Sequence, residues 1–328
     1  MSTRDVTGLA GTRAIPSDEV EEIHYYLTLA PRQLPSRWLY DTRGSLLFET
    51  ICLLPWYRIT RAELGLLAER GADIGRLSRP TEIVELGCGN GQKLVTLLRA
   101  LGARVRKVHL IDVSGQALER TSDALNNVGG LRVTTAQSTY EDGLMQLQRR
   151  ESDARRLVLF LGSNIGNFDP PGAAAFIHSI RRTIAAGDWL LFGIDLVKSE
   201  QELTVAYDDP LGVTAAFNKN LLLRLNTELG ADFDLDAFEH RAVWNRDASR
   251  VEMYLTCRRS HDVTVPGPAG PLQFTLKAGE SIWTESSYKY QPEVFSALVE
   301  SAGFDCRMRC IDPDAQFLLA LFEARRRG

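Results

Sequence analysis

The clearest chemical signature in the chain is an acidic residue followed by three glycines at alternate positions. These four residues are Glu85, Gly87, Gly89 and Gly91. Glycine adopts positive φ angles easily and lets a backbone approach a ligand closely. Asp112 ends the next apolar run, 21 residues after Gly91, where a carboxylate can accept hydrogen bonds from the two hydroxyls of a ribose. Together these residues predict a nucleoside-binding site.

The glycine spacing and the acid distinguish between two classes of cofactor. A nicotinamide dehydrogenase uses G-x-G-x-x-G to hold a pyrophosphate at a helix N-terminus, whereas this chain has G-x-G-x-G. An acid beside the loop tolerates a cationic ligand and repels a pyrophosphate. S-adenosylmethionine (SAM) carries a sulfonium, an amino-acid end and a ribose, but no phosphate.

The E-x-G-x-G-x-G pattern resembles motif I of the SAM-dependent class I methyltransferases. The resemblance implies SAM as the cofactor. The predicted cofactor-binding residues are Glu85, Gly87, Gly89, Gly91, Lys93, Asp112 and Tyr140. Tyr140 is a candidate for stacking on the adenine, whose amine contacts either a backbone group or Asp142.

These side chains need a scaffold, and residues 81–196 alternate apolar runs with helical patterns. The predicted strands are Thr81–Leu86, Lys107–Asp112, Leu131–Ala136, Arg156–Gly162 and Trp189–Asp195, and the predicted helices are Gln92–Leu101, Gly115–Asn126 and Pro171–Ala185. Continuous apolar strands separated by helices indicate a parallel sheet covered on both faces. Right-handed crossovers make such a sheet doubly wound. The expected fold class is therefore α/β, with a Rossmann-like doubly wound sheet of the class I methyltransferase type.

The alternating pattern ends after Asp195, and the rest of the chain predicts a second lobe. The later segments are helical patterns at 200–230 and 291–302, β-rich sequence at 240–290, and two closing strands at Phe304–Ile311 and Gln316–Glu323. The simplest arrangement has a SAM-binding core of residues 78–198 plus 290–328. Residues 1–77 plus 199–289 then form a second, α+β lobe that binds the substrate. We expect the ligand cleft between the lobes, at the carboxyl ends of the core strands.

Eight further motifs are spread over nearly the whole chain. They are residues 38–41 (WLYD), 56–63 (WYRITRAE), 160–167 (FLGSNIGN), 195–198 (DLVK), 206–209 (AYDD), 212–218 (GVTAAFN), 231–234 (ADFD) and 284–290 (TESSYKY). Taken together, they resemble the histidine-specific methyltransferase of ergothioneine biosynthesis, from about residue 25 to residue 323. Related members of that family methylate other amino-acid amines, including those of tryptophan derivatives.

The resemblance implies a role for each of nine side chains. Asn167 and Tyr207 hold the α-amino and carboxylate groups of the substrate. The imidazole is surrounded by Tyr57, Glu285 and Ser287, and Met253 packs beside the ring. The place where the methyl group passes from sulfur to nitrogen is lined by Tyr40, Phe48 and Phe217. Asn167 and Tyr40 are the catalytic candidates in this set.

These residue types suit methyl transfer to an amine. The reaction is an in-line displacement, so catalysis is mainly positioning. An α-amino group with a pKa near 9 is only about 1% neutral at pH 7, and the side-chain oxygen of Asn167 can aim its lone pair. Aromatic faces attract the cationic methylammonium that forms. The sequence shows no acidic general base, and the reaction does not require one.

The predicted reaction is methylation of the α-amino group of L-histidine, up to the trimethylated product. Two departures from the family pattern leave other acceptors open. The chain has Arg58-Ile59 where the family commonly has Tyr-Pro, and Asn164 where it commonly has Thr. The alternatives are a ring nitrogen of histidine or another amino-acid amine, such as that of tryptophan. A SAM-binding protein without turnover is disfavoured by the intact glycine loop together with Asp112 and Asn167.

Composition limits the other possibilities. The chain has 328 residues, a net charge of −4 and five scattered cysteines. It shows no basic excess typical of nucleic-acid binding, no apolar run of about 18 residues and no spacing typical of a metal site. We therefore expect a cytoplasmic enzyme that acts on a small amino-acid substrate. We expect no metal and no nucleic acid, membrane or obligate protein partner.

Overall fold

The computed structural model describes residues 15–126, 128–147 and 154–326. Residues 1–14 of the expected substrate-binding lobe and residues 327–328 of the expected core lie outside this part. The helices are α1 (Ser17–Thr28), α2 (Thr42–Leu53), α3 (Ile59–Ser78), α4 (Gln92–Leu101), α5 (Gly115–Asn126), α6 (Tyr140–Gln146), α7 (Pro170–Thr183), α8 (Glu200–Tyr207), α9 (Val213–Leu229) and α10 (Pro292–Ser301). The strands are β1 (Arg32–Gln33), β2 (Glu82–Leu86), β3 (Lys107–Asp112), β4 (Arg132–Gln137), β5 (Arg156–Phe160), β6 (Trp189–Asp195), β7 (Phe238–Asn245), β8 (Arg250–Cys257), β9 (His261–Val265), β10 (Leu272–Leu276), β11 (Ser281–Tyr288), β12 (Phe304–Asp312) and β13 (Phe317–Ala324).

The larger sheet has seven strands in the order β12-β13-β6-β5-β2-β3-β4. Strands β2 to β6 are parallel, and β13 is antiparallel to both of its neighbours. This order confirms the predicted doubly wound α/β sheet. From β2 the chain continues to β3 and β4 on one side, and then crosses to β5 and β6 on the other side. The carboxyl ends of β2 and β5 therefore border the crevice where such sheets bind ligands.

The interior strands form because their sequences are apolar on both faces. Every residue of β2, β5 and β6 is buried, as expected for strands covered by helices on both sides. Helix α4 buries Leu94, Leu97 and Leu98, which share one helix face at the i, i+3, i+4 spacing. The glycine loop therefore leads from a fully buried strand directly into a helix that packs on the sheet.

Two features of the helices differ from the sequence prediction. The continuous helical pattern at 200–230 is broken after α8, because the Asp209 carboxylate accepts hydrogen bonds from the backbone N–H groups of Leu211, Val213 and Thr214 at 2.7–3.1 Å and so begins α9. Helix α3, which the sequence places in the substrate-binding lobe, packs against α4 and β13 of the larger sheet. Its hydrophobic face therefore covers the core.

The smaller sheet has four strands in the order β1-β11-β8-β7, and β9 and β10 form a separate hairpin. Strands β8 and β11 pair antiparallel, with Glu285 directly opposite Met253. Side chains opposite each other on one face of such a pair lie close together. In the described part of the chain, no helix is long and apolar enough to span a membrane.

Candidate active site

The glycine loop has the backbone conformation that its sequence predicts. Gly87, Gly89 and Gly91 have φ angles of 79°, 55° and 75°, which L-residues with side chains rarely adopt. A Cβ atom on Gly87 would lie 2.8 Å from the side-chain nitrogen of Asn164 and 3.0 Å from the hydroxyl of Tyr140. The loop, the first residue of α6 and the segment after β5 thus meet around one small space.

Asp112 is positioned by this loop as well as by its own strand. One carboxylate oxygen accepts the backbone N–H of Cys88 at 2.9 Å, and the other accepts that of Ser114 at 2.9 Å. Burial is the largest influence on the carboxyl and raises the pKa of Asp112. Each carboxylate oxygen has a second lone pair, so the group can still accept hydrogen bonds from ribose hydroxyls.

Glu85 supplies a buried carboxylate with an unused oxygen. Its Oε2 is buried without a hydrogen-bond partner among the described residues. Burial raises the pKa of Glu85 to about 8, and the neighbouring Asp112 and Glu63 carboxylates act in the same direction. An orphaned acid in such a place favours a cationic ligand. The loop and this carboxylate therefore fit the ammonium and sulfonium groups of SAM, and Asp112 fits its ribose.

Lys93 is held by an acid that the sequence analysis did not single out. Glu63 of α3 is fully buried and lies 2.6 Å from the ammonium of Lys93. Although burial opposes its charge, Lys93 has a raised pKa because of Glu63. Both carboxylate oxygens of Glu63 also lie 2.9 Å from the backbone nitrogen of Gly162, after β5. One acid thus connects the start of α4 to the loop that carries Asn164 and Asn167.

A cavity lies next to this region, between the core and the smaller sheet. All nine side chains that the sequence predicts for the substrate and the transfer site line it: Tyr40, Phe48, Tyr57, Asn167, Tyr207, Phe217, Met253, Glu285 and Ser287. They come from segments as far apart as residues 40 and 287, and only the tertiary fold brings them together. Asn164, which the sequence marks as a departure from the family pattern, also lines the cavity. Ile51, Gly162, Ser163, Ala206 and Thr214 complete the lining and were not predicted.

Aromatic rings form one side of the cavity. Tyr40 lies edge-on to Phe48 and Phe217, with ring centroids 5.6 Å and 5.4 Å apart. Phe48 in turn contacts Tyr57 at 6.1 Å. Burial raises the pKa values of Tyr40 and Tyr57 well above the usual range, so both hydroxyls stay protonated. Neutral aromatic rings around a cavity provide a favourable environment for an organic cation.

Among the residues that line the cavity, the single acid is Glu285. Glu285 is 9% exposed, and burial raises its pKa to about 7. Met253, across the strand pair, is 1% exposed and supplies an apolar surface beside the carboxylate. Such a pair can accept an N–H from a flat ring and limit the size of that ring.

Asn167 ends a short 3₁₀ helix, Asn164–Asn167, that follows β5. The segment begins at Ser163, whose hydroxyl accepts the backbone N–H of Asp195 at 3.0 Å, and it lies against β11, because a Cβ atom on Gly166 would fall 2.7 Å from the backbone oxygen of Tyr288. Asn167 is itself exposed and faces the cavity from a well-anchored loop.

The two sequence departures have different structural positions. Asn164 lines the cavity and its side chain lies against Gly87. Arg58 is absent from the lining and instead bonds to the backbone oxygen of Asp314 at 3.1 Å and pairs with Glu202 at 3.5 Å. Only Asn164 is therefore placed to alter the acceptor directly. No group of side chains suited to a metal ion is found among residues 15–126, 128–147 and 154–326.

Comparison with known proteins gives one family over nearly the whole chain. Residues 19–324 match the family described as histidine-specific, SAM-dependent methyltransferases. The chain is 41% identical over 298 residues to the histidine N-alpha-methyltransferase of Mycolicibacterium smegmatis, which covers 90% of this chain and 91% of that protein. It is 31% identical to ergothioneine biosynthesis protein 1 of Schizosaccharomyces pombe, over 83% of this chain and 36% of that protein. A more distant relative, 27% identical over 87% of this chain and 89% of its own length, is the 4-dimethylallyltryptophan N-methyltransferase of Claviceps purpurea.

Proposed function

Because the chain belongs to the family of histidine-specific, SAM-dependent methyltransferases, we propose that it methylates the α-amino group of L-histidine. The observation that carries this proposal is the cavity in which Glu285 and Met253 face Asn167 and Tyr207. The cavity thus combines a carboxylate that can accept a ring N–H with polar side chains that can bind the amino and carboxylate groups of an amino acid.

The cofactor would be held by residues at the carboxyl ends of β2 and β3. Glycines 87, 89 and 91 permit close approach of the backbone, and Asp112 binds the ribose hydroxyls. Glu85 balances the positive charge, and Lys93, fixed by Glu63, binds an anionic group at the amino-acid end. Tyr140 packs beside the adenine. When bound, SAM supplies an electrophilic methyl group.

The histidine side chain would be recognised by Glu285 and Ser287. The carboxylate accepts the N–H of a neutral imidazole, and the hydroxyl donates to its unprotonated ring nitrogen. Phenylalanine or leucine would leave the buried Glu285 carboxylate without a partner, which makes them poor acceptors. Met253 limits the ring to the size of an imidazole.

The amino group must lose its proton before it reacts. Asn167 accepts one of its N–H groups and so turns the nitrogen lone pair toward the methyl donor. The rings of Tyr40, Phe48 and Phe217 surround the position where a methylammonium forms, and their faces stabilise that cation. The same surroundings suit a second and a third transfer, so trimethylhistidine is the expected final product.

We place the reaction in a reducing compartment such as the cytoplasm. The described residues include all five cysteines, and each of them is a free thiol, which supports that location.

The direct test is a reaction of the full chain with SAM and a panel of amino acids. The products are analysed by mass spectrometry with fragmentation that locates the methyl groups. We expect mono-, di- and trimethylation of histidine at Nα. Methyl groups on the imidazole, or faster turnover of tryptophan or another amino acid, would reject the proposed acceptor.

A further inference from the structure

A buried lysine lies directly behind two hydroxyl groups of the acceptor cavity. Lys289 follows β11, and its side chain has no exposed surface. Its ammonium nitrogen lies 2.7 Å from the hydroxyl oxygen of Tyr207 and 2.9 Å from that of Ser287. It also lies 2.9 Å from a carboxylate oxygen of Asp195. Although burial opposes the charge, Asp195 and Tyr207 raise the pKa of Lys289, so the group is an ammonium at neutral pH.

The three contacts account for every donor of this ammonium group. An ammonium has three N–H donors and no acceptor. The oxygens of Tyr207 and Ser287 therefore both accept a hydrogen bond from Lys289. The two oxygens lie 2.8 Å apart, so one hydroxyl donates to the other. One hydroxyl proton is used within the pair, and the second is available to a molecule in the cavity that both residues line.

We propose that Lys289 is a positioning and specificity-determining residue that makes the Tyr207–Ser287 pair a hydrogen-bond donor toward the substrate. The inference rests on the proposed function. This one donor matches a single acceptor of the substrate, either the unprotonated nitrogen of a neutral imidazole or a carboxylate oxygen. An imidazolium carries two N–H donors and no acceptor nitrogen, so it leaves this hydroxyl donor without a partner. Lys289 and Glu285 together select a ring with one donor and one acceptor nitrogen.

A purely structural role would be to balance the buried Asp195 carboxylate. That carboxylate has a second cationic partner, because the ammonium of Lys198 lies 2.6 Å from its other oxygen. The described hydrogen bonds of the Lys198 ammonium run to Asp195 and to the backbone oxygen of Ala315, and none runs to Tyr207 or Ser287. Lys198 is therefore a matched control for the loss of a positive charge beside Asp195.

The first experiment replaces each lysine with a neutral side chain of similar length. Lys289→Met should raise the KM for histidine at least about tenfold, the scale of hydrogen bonds to a charged group. The kcat at saturating histidine and the calorimetric Kd for SAM should each change less than about threefold, because the reacting groups and the cofactor loop remain. Lys198→Met should leave the KM within about twofold of the unmodified value. An unchanged KM in Lys289→Met, or an equal rise in both variants, overturns the proposal.

The second experiment tests whether Lys289 acts through the hydroxyls. Tyr207→Phe and Ser287→Ala are each combined with Lys289→Met, and the KM values are compared in double-mutant cycles. A residue that acts through these hydroxyls gives a double variant little worse than the poorer single variant, because the contact is already lost. Fully additive effects in both cycles would show that Lys289 acts elsewhere and would overturn the proposal.

A third variant covers the case in which Lys289→Met does not fold. Asp195→Asn combined with Lys289→Met removes the charges of both residues, which proteins tolerate better than the loss of one, and Lys198 keeps its hydrogen bond to the backbone oxygen of Ala315. It is compared with Asp195→Asn alone, and the same rise in KM is expected from the added lysine change. If another amino acid proves to be the acceptor, the proposed function fails. The cycles then run on that amino acid, and the carboxylate contact of Tyr207 still tests the role of Lys289.

Discussion

At the scale of single residues, the acceptor cavity places an acid where burial opposes its charge. Glu285 is nearly inaccessible, and its pKa is raised to about 7 from an ordinary value of 4.5. The folded chain therefore holds a proton at this site more tightly than the unfolded chain. The free energy of unfolding should fall as the pH rises from about 4.5 to about 7 and level off above that range.

Glu285→Gln removes this ionisation and should make the ligand-free protein more stable above pH 7. The gain in Tm should shrink as the pH falls toward 4.5, because the Glu285 carboxyl is then protonated in the folded chain and increasingly protonated in the unfolded chain. Thermal unfolding at several pH values measures the difference. Glu293→Gln is the control, since the side chain of Glu293 is 76% exposed. A Glu285→Gln variant less stable than the unmodified chain at pH 8 would contradict the prediction.

Asn167 is the residue that is proposed to orient the nucleophile. Asn167→Ala removes the amide oxygen that accepts from the amino group, so kcat/KM for histidine should fall by about tenfold or more. The calorimetric affinity for SAM should stay nearly unchanged, because the residue lies outside the glycine loop. Activity within about threefold of the unmodified enzyme, a loss under roughly 0.7 kcal/mol, would exclude this role.

At the scale of secondary structure elements, Glu63 connects the parts of the molecule that are proposed to bind the cofactor and the acceptor. It lies on α3, yet it bonds to Lys93 on α4 and to the backbone of Gly162 after β5. The space around it is tight, since a Cβ atom on Gly193 would fall 1.7 Å from Glu63 Oε1. The acid thus fixes the distance between the cofactor loop and the acceptor loop.

Glu63→Ala should therefore impair stability, cofactor binding and turnover together. The loss leaves a lysine and a backbone N–H without a partner, and the free energy of unfolding should fall by on the order of 3 kcal/mol. Denaturant unfolding and SAM calorimetry measure the two effects. Glu69→Ala lies on the same helix but is exposed, so it should change neither. Normal SAM affinity in a folded Glu63→Ala chain would refute the connection.

Strands β8 and β11 carry the residues that are proposed to select the ring. Replacing Glu285 with Ala removes a carboxylate that the ring of tryptophan would pair with poorly. Replacing Met253 with Val enlarges the cavity. Histidine activity should fall, and the ratio of kcat/KM for tryptophan to that for histidine should rise at least about tenfold. Phe304→Leu, in the separate core beneath α7 and α10, is a control for general loosening of the fold and should leave the ratio unchanged. A ratio that does not move in the double variant would reject the histidine assignment.

At the scale of the whole molecule, cofactor binding should stabilise the fold because Asp112 ends β3 and the glycine loop follows the buried strand β2. S-adenosylhomocysteine at about 100 times its Kd should add about 2.7 kcal/mol to the free energy of unfolding, whereas NAD should add nothing. Asp112→Ala should weaken cofactor affinity by roughly 1.5–3 kcal/mol. Differential scanning fluorimetry and calorimetry test both expectations. Equal stabilisation of the unmodified chain by NAD would contradict the assignment of the loop.

The core could be predicted from the sequence because its signals are local. The strand Trp189–Asp195 and the helices Gln92–Leu101 and Gly115–Asn126 have the predicted bounds, since each follows an apolar run or periodicity with a polar or glycine boundary. The break between α8 and α9 was missed, although Pro210 and Gly212 lie within the pattern and Gly212 has a φ angle of 74°. The Asp209 carboxylate then accepts three backbone N–H groups at the start of α9.

The sequence predicted nine of the residues that line the cavity, but not the buried charged residues behind them. Glu63 had a usable signal, since it lies on the helix face that buries Ala62, Leu66 and Leu67, where a charge requires a partner. Lys289 had no such signal, because a lysine after a β segment is ordinarily solvated. Its partner Asp195 is 94 positions earlier in the chain and meets it only when the two sheets assemble.

The pairing of Met253 with Glu285 also affects how this fold can diversify. The residues that are proposed to select the ring lie opposite each other on two adjacent strands of the smaller sheet, whereas the glycine loop and Asn167 follow strands of the larger one. A duplicated gene could therefore evolve a new amino-acid substrate through a few substitutions in β8 and β11, while the residues proposed for methyl transfer stay unchanged. Natural variation in acceptor should accordingly concentrate in two short stretches of sequence, and directed libraries confined to them should yield new acceptors more often than libraries spread over the chain.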